Sequence, residues 1–152
     1  MSYVAAEARR ELLDAVAQAI DEIAVALAAL GGAYELLDET TGDTLEEQLF
    51  RPTQLAYGRA KRTHAAFAER HGIPGRAFEP ATPGLPSQGV KGFVEAAGDA
   101  AEEADFLLSS LQDSLMPVEV GDTELRAGLS EVRVLLGKLP AHARQFVRTL
   151  GR

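Results

Sequence analysis

The chain of 152 residues contains no cysteine. That excludes disulfides, thiolate zinc sites and cysteine nucleophiles, and it fits a reducing cytoplasm. Long apolar runs are missing too. The longest, Ile23 to Leu30, follows directly on Asp21 and Glu22 and falls far short of the roughly 18 residues a membrane helix needs. Glu7, Arg9, Arg10 and Glu11 interrupt the start, so no signal peptide and no membrane partner are expected. Lysine is scarce, 3 against 12 arginines. With the abundant alanine, this reads as the composition of a high-GC, bacterial genome. The net charge of −8 argues against a general nucleic-acid binder. No segment of useful length alternates with the two-residue period of a strand, and no internal repeat stands out.

What is present is helical period, in a length that suits one domain, 1–152. Leu13, Val16, Ile20, Ile23, Leu27, Leu30, Tyr34 and Leu37 recur three and four apart, a heptad seam running through a first helix from about Ser2 to Asp38. Leu12, Ala19, Ala26 and Ala33 flank it at steps of seven, where small side chains admit a close neighbour. Gly31 and Gly32 lie in phase within the seam, so one continuous helix is predicted. The segment Glu39 to Asp43 reads as a break, with Gly42 in a left-handed turn. Thr44 and Glu47 have the spacing of a capping box that starts the second helix. Pro52 should kink that helix one turn upstream. His71, Gly72 and Pro74 end it.

Residues 73–89 hold four prolines and three glycines. Ile73, Phe78 and Leu85 are apolar enough to pin this long segment to the protein. Extended, it reaches more than about 50 Å, enough to cap one end of a bundle or to cross its full length. The third helix follows Ser87, a plausible N-cap, with a seam of Val90, Phe93, Ala97, Ala100, Ala104, Leu107 and Leu111, flanked by Val94, Ala101, Leu108 and Leu115. Asp122 caps the fourth, whose seam is Leu125, Leu129, Val132, Leu136, Leu139, Ala143, Phe146 and Leu150. Pro140 should kink it.

The expected fold is therefore all-α: a four-helix bundle with helices at about 2–38, 44–71, 88–116 and 122–150. Up-down-up-down order is preferred, and a ferritin-like crossover through 73–89 is the alternative. Charge supports the preferred order. Residues 1–50 and 79–125 each carry a net −9, while 51–78 and 126–152 each carry +5. If like helices occupy the diagonals, every lateral contact pairs opposite signs.

One stripe departs from a plain core: Phe50, Thr53, Tyr57, Ala60, His64, Phe67 and His71 share a helix face. A phenol, a hydroxyl and two imidazoles among apolar positions need partners if buried. Tyr34 should lie near the level of Phe50 or Thr53. Tyr34, Thr53, Tyr57 and His64 are thus the candidate ligand-binding residues, in a pocket opened by the Pro52 kink and by glycines 31, 32 and 58. The preferred reading of the stripe is a satisfied polar core that fixes register.

Metal chemistry is not favoured. His64 and His71 stand two turns apart, roughly 10.5 Å along the axis, too far for one ion bound at about 2.0 to 2.1 Å. Glu11 with Asp14, Glu35 with Asp38, and Glu102 with Asp105 have spacings that can hold magnesium, but they sit off the seams on faces expected to be solvated. No phosphate-cradling loop occurs, so no cofactor is expected.

Arg59 and His64 form Arg-x-x-x-x-His, which resembles the motif of HEPN ribonucleases, helical bundles in which such a pair lines a cleft between two subunits. The resemblance covers six residues and implies a ribonuclease using Arg59 and His64. Ala60 stands where that family usually has a polar residue, and on a straight helix the pair points about 140° apart. The preferred reading is a non-enzymatic cytoplasmic module for protein–protein interaction or self-assembly, with a homodimer or another protein as partner. The alternative is a small-ligand-binding bundle.

Overall fold

The computed structural model describes the backbone of residues 3–150 and the side chains of residues 4–150. All regular elements among them are helical, with no strand. α1 spans Tyr3–Tyr34, so its expected start at Ser2 lies outside the described residues. The predicted lines of α1 are buried at Leu13, Val16, Ile20, Ile23 and Leu30 on one and at Leu12, Ala19, Ala26 and Ala33 on the other, while Leu27 of the seam is half-buried. Gly31 and Gly32 remain helical.

α1 stops four residues earlier than its seam predicts, because Asp38 caps the next helix. Its carboxylate accepts the Thr41 amide at 2.8 Å, opening α2 (Glu39–Leu45). The Thr44–Glu47 capping box does not form. Thr44 lies inside the helix and donates its hydroxyl to the Thr40 carbonyl at 3.3 Å. Gly42 is helical and buried, not left-handed. A five-residue π turn (Glu46–Phe50) then leads into α3 (Arg51–Arg70) without a break. The π turn sits where the kink was predicted. Pro52 has no N–H for the Gln48 carbonyl, and the Nδ1 atom of His142 lies 3.4 Å from that carbonyl oxygen. At the far end Gly72 takes φ 63°, and the Ile73 amide donates to Ala68 at 2.9 Å, closing α3 with a left-handed cap.

Residues 71–88 are irregular except for one 3-10 turn, Pro86–Gln88. Ile73 and Phe78 pack against the core, but Leu85 is exposed and pins nothing. Ser87 lies in that turn and caps nothing. α4 (Gly89–Asp113) opens on Gly89 at φ 75°. It ends before Leu115, a left-handed residue that is exposed and not a seam neighbour. A single turn, α5 (Met116–Glu119), precedes α6 (Thr123–Gly137), which Asp122 caps by accepting the Leu125 amide at 2.8 Å. The expected kinked fourth helix is two helices. α7 (Leu139–Leu150) restarts after Lys138 with Pro140 in its first turn, where a missing N–H costs nothing.

α1 packs mainly on α4, α3 on α6, and α4 on α7, while α1 and α3 meet less extensively. The directions follow from which ends touch. Gly32 lies against the Phe93 ring, and at the other end Arg9 Nε donates to the Val120 carbonyl at 3.1 Å, so α1 and α4 are antiparallel. Thr63 faces Gly128 and Arg70 grips Asp122, so α3 and α6 are antiparallel. α3 also runs back along α1: Tyr57 shares a groove with Leu27 and Ala28, while His64 lies beside the backbone of Leu13. α3 and α4 therefore point the same way, and 71–88 joins opposite ends of the molecule. Up-down-up-down order, which needs α3 and α4 opposed, does not describe these contacts. The charge argument for it fails as well, since acidic α1 lies beside acidic α4, while basic α3 lies beside α6, whose Glu124 and Glu131 balance Arg126 and Arg133. The alanine stripe of α1 is buried in the chain's own core.

Candidate functional site

The polar stripe on α3 is divided among several environments. Thr53 is 1% exposed and donates its hydroxyl to the Leu49 carbonyl at 2.7 Å. Its partner is thus its own helix, one turn back. His64 is 3% exposed. Phe78 from the crossing segment meets its ring edge-on, with centroids 5.1 Å apart. Burial, then the Arg76 guanidinium, push the His64 imidazole below its ordinary value, against Asp14 and the Leu13 backbone. Tyr57 is only half-buried. Lys61 Nζ rests 4.1 Å above its ring centre, and burial, then Asp21, hold the phenol above its usual range. His71 stands apart, 2.9 Å from the Asp122 carboxylate and tilted on Phe67.

Tyr34 does not face the interior. It is 44% exposed and covers the 35–38 turn, its ring against Gly42. The seam loses phase there because α1 ends at Tyr34. The four candidate residues are therefore not brought together: Thr53 and His64 belong to the core, Tyr34 to a turn, and only Tyr57 borders open space.

That open space is a groove of about 450 Å³ between α1, α3 and the crossing segment. Its floor is Ala24, Leu27, Ala28 and Gly31, and its other wall is Phe50, Gln54, Tyr57, Gly58 and Lys61. Pro80 and Ala81 form the lip. Local sequence explains each part. Nothing lies within 4 Å of where a Gly31 side chain would start, so the two glycines and the alanines leave room between the helices. The π turn before Pro52 carries Phe50 to the end of the groove. The prolines keep the segment above it extended, and Arg76 ties that segment to Asp21 at 3.0 and 3.1 Å. Gln54 and Lys61 lie off the stripe. Lys61 follows Tyr57 by one turn, and that spacing is the signal that could have found it.

The floor is apolar, and the polar atoms on the wall are a phenol, an amide and an ammonium. All three can donate hydrogen bonds. None of the ion pairs among the described residues involves Lys61. A larger groove of about 600 Å³ between α4 and α7 sets Glu95, Asp99 and Glu102 opposite Arg144 and Arg148. Those charges are all exposed and solvated.

Arg59 and His64 are not brought together either. Arg59 pairs with Glu131 on α6, while His64 faces α1 and Phe78. Among the described residues no group of three or more metal-ligating side chains is assembled. Asp105, from one of the acidic pairs, is held by Arg133 at 2.8 Å. No described helix is long and apolar enough to cross a membrane. No family model matches the chain, and neither a curated protein nor a solved structure matches it.

Proposed function

We propose that this chain is a non-enzymatic, cytoplasmic binding module, folded as one four-helix bundle with a ferritin-like crossover. Its ligand is a small amphipathic molecule with a flat apolar body and an oxygen anion, seated in the groove between α1 and α3. The observation that carries this reading is the wall of donors over an apolar floor, with a lysine that is in no ion pair among the described residues. The volume of about 450 Å³ lies within the range of small-molecule sites. The raised phenol of Tyr57 is a neutral donor at physiological pH, suited to orienting an acceptor rather than to removing a proton. The bundle reading is supported by the pairing of α1 with α4 and of α3 with α6, and by a segment of 71–88 that spans the molecule.

Native mass spectrometry of the purified protein, followed by calorimetric titration with aromatic carboxylates and their neutral amides, tests the proposal. The acid should bind at least about tenfold more tightly than its amide, the scale of one charge-assisted hydrogen bond. Lys61→Gln should remove that preference. Gly31→Leu, which grows into open space, should block both ligands while the protein stays folded. No bound ligand in either experiment, or binding indifferent to both variants, would sink the reading.

A further inference from the structure

The placement of acidic α1 beside acidic α4, with basic α3 and α7 among the other helices, gives the molecule two unlike faces. α1 and α4 together carry 11 acids and 3 bases, while α3, α6 and α7 carry 9 bases and 3 acids. Each face has its own relief. On the acidic side Phe106 is 62% exposed, and it shares a shallow depression with Asp99, Glu102 and Glu103. A phenyl ring standing in water among three carboxylates gains nothing within its own chain. On the basic side a groove of about 290 Å³ runs between α3 and α6, floored by Ala66 and Ala127 and rimmed by Arg59, Arg62 and Arg70, with one acid, Glu124, beside Arg70. Arg59 and Arg70 are paired with acids of their own chain, and Arg62 is in no ion pair among the described residues.

We infer that these faces bind each other between copies: Phe106 of one chain enters the arginine-rimmed α3/α6 groove of the next. The occupant is a second copy because the two patches match in charge and shape. The ring can lie against the alanine floor and under a guanidinium, where cation–π attraction adds to burial, and its flanking carboxylates meet Arg62, the rim arginine in no ion pair among the described residues. The patches are different surfaces of one chain, so the contact is head-to-tail rather than two-fold. A two-fold dimer through either patch would press like charges together. The contact lies on the opposite side of α3 from the ligand groove and is independent of it.

Sedimentation velocity across protein concentrations tests this. At about 0.01 M salt, where screening extends over about 30 Å, mass should rise with concentration. At about 1 M salt, where it extends about 3 Å, the chain should be monomeric. Phe106→Ala and Arg62→Glu should each weaken association about tenfold or more. Both sites are exposed, so melting temperatures should stay unchanged, which separates lost contact from lost fold. Mixing the two variants is the decisive step. Phe106→Ala keeps an intact groove and Arg62→Glu keeps the ring, so together they should form one-to-one pairs that grow no further. A monomer under every condition overturns the inference. So does association that survives either variant, or a mixture that fails to pair.

Discussion

Gly128→Ala should destabilise this protein although it adds helix propensity. A Cβ at position 128 would fall 2.7 Å from Thr63 Cγ2 and 3.0 Å from Thr63 Cβ, and still closer to its hydroxyl. Favourable carbon contacts are about 3.5 to 4.0 Å. Thr63 has no easy way to yield. It is buried, β-branched and stiff about its first torsion, and its hydroxyl donates to the Arg59 carbonyl at 2.8 Å. Because the clash reaches Cβ itself, no change of rotamer relieves it, and α3 and α6 must part. Overpacking of this kind costs about 1–3 kcal/mol, and the severity here argues for the upper end. Replacing a helical glycine by alanine returns about 1 kcal/mol. The net loss is about 2 kcal/mol, or a melting temperature lower by about 4–8 °C for a chain of this size. Calorimetric melts of the single variants and of Gly128→Ala combined with Thr63→Ala complete a double-mutant cycle. Removing the hydroxyl and methyl of Thr63 first should make the second substitution about 1–2 kcal/mol cheaper. A Gly128→Ala variant as stable as the parent, or strictly additive effects, would refute the close-approach argument.

Asp122 caps α6, forms a two-point contact with Arg70 and meets His71; Asp122→Ala should cost about 2–3 kcal/mol in denaturant titrations, and Asp122→Asn, which keeps the cap, clearly less. Burial raises the Asp122 carboxyl, but Arg70, the Leu125 amide and His71 outweigh it and hold it well below its ordinary 3.8, so its contribution is present above about pH 4 and lost as pH falls further. His64 is held below its ordinary 6.5. The stability it contributes is present above about pH 6.5 and lost as pH falls through its folded value, and His64→Gln should flatten thermal melts over that window. Glu22 is raised by burial, then by Glu103 and Asp21; what it contributes is present below about pH 4.5 and lost as pH rises. Glu22→Gln should therefore gain a few tenths of a kcal/mol at neutral pH, after solvent screening, and nothing in acid; an unchanged melt at both pH values counts against like-charge crowding between α1 and α4.

The seams of α1, α4, α6 and α7 were legible because burial on one side of a helix imposes a 3.6-residue period on the chain. The ends were less so, because capping signals compete. Thr44 has the spacing of a cap, but Asp38, expected to end the first helix, takes that role instead, which turns Gly42 from a turn residue into a helical one. Pro52 showed where the backbone deforms but not how, and the answer is a π turn. Of the site, Tyr57 and the two groove glycines could be read from spacing alone. Tyr34 was lost when α1 ended, and Gln54 and Lys61 were hidden because a residue beside a stripe looks like any solvated one. Thr63 was missed for the same reason: its partner is a glycine, and a glycine announces no contact. Connection order could not be read at all. A segment able to reach more than about 50 Å fits both topologies, and only the fit of α1 to α4 separates them.

Comparing magnitudes shows why charge did not choose the neighbours. Pairing acidic with basic helices gains about 0 to 1 kcal/mol for each exposed pair. The α1 face carrying Leu12, Ile20, Ile23 and Leu30 is fully buried, and each such side chain contributes about 1.5–3 kcal/mol by leaving water. Small residues on both helices, Ala19, Ala26 and Ala33 on α1 and Ala97, Ala101 and Ala104 on α4, let the backbones approach so that those large side chains seal. A few such contacts outweigh all the lateral ion pairs that another order would make. The like charges of α1 and α4 are tolerated at the rim of that interface, where Glu22 and Glu103 still repel each other through solvent. Segregated charge is thus the electrostatic residue of a packing choice. It leaves one acidic face and one basic face open to whatever carries the opposite sign, and a second copy of the same chain carries both.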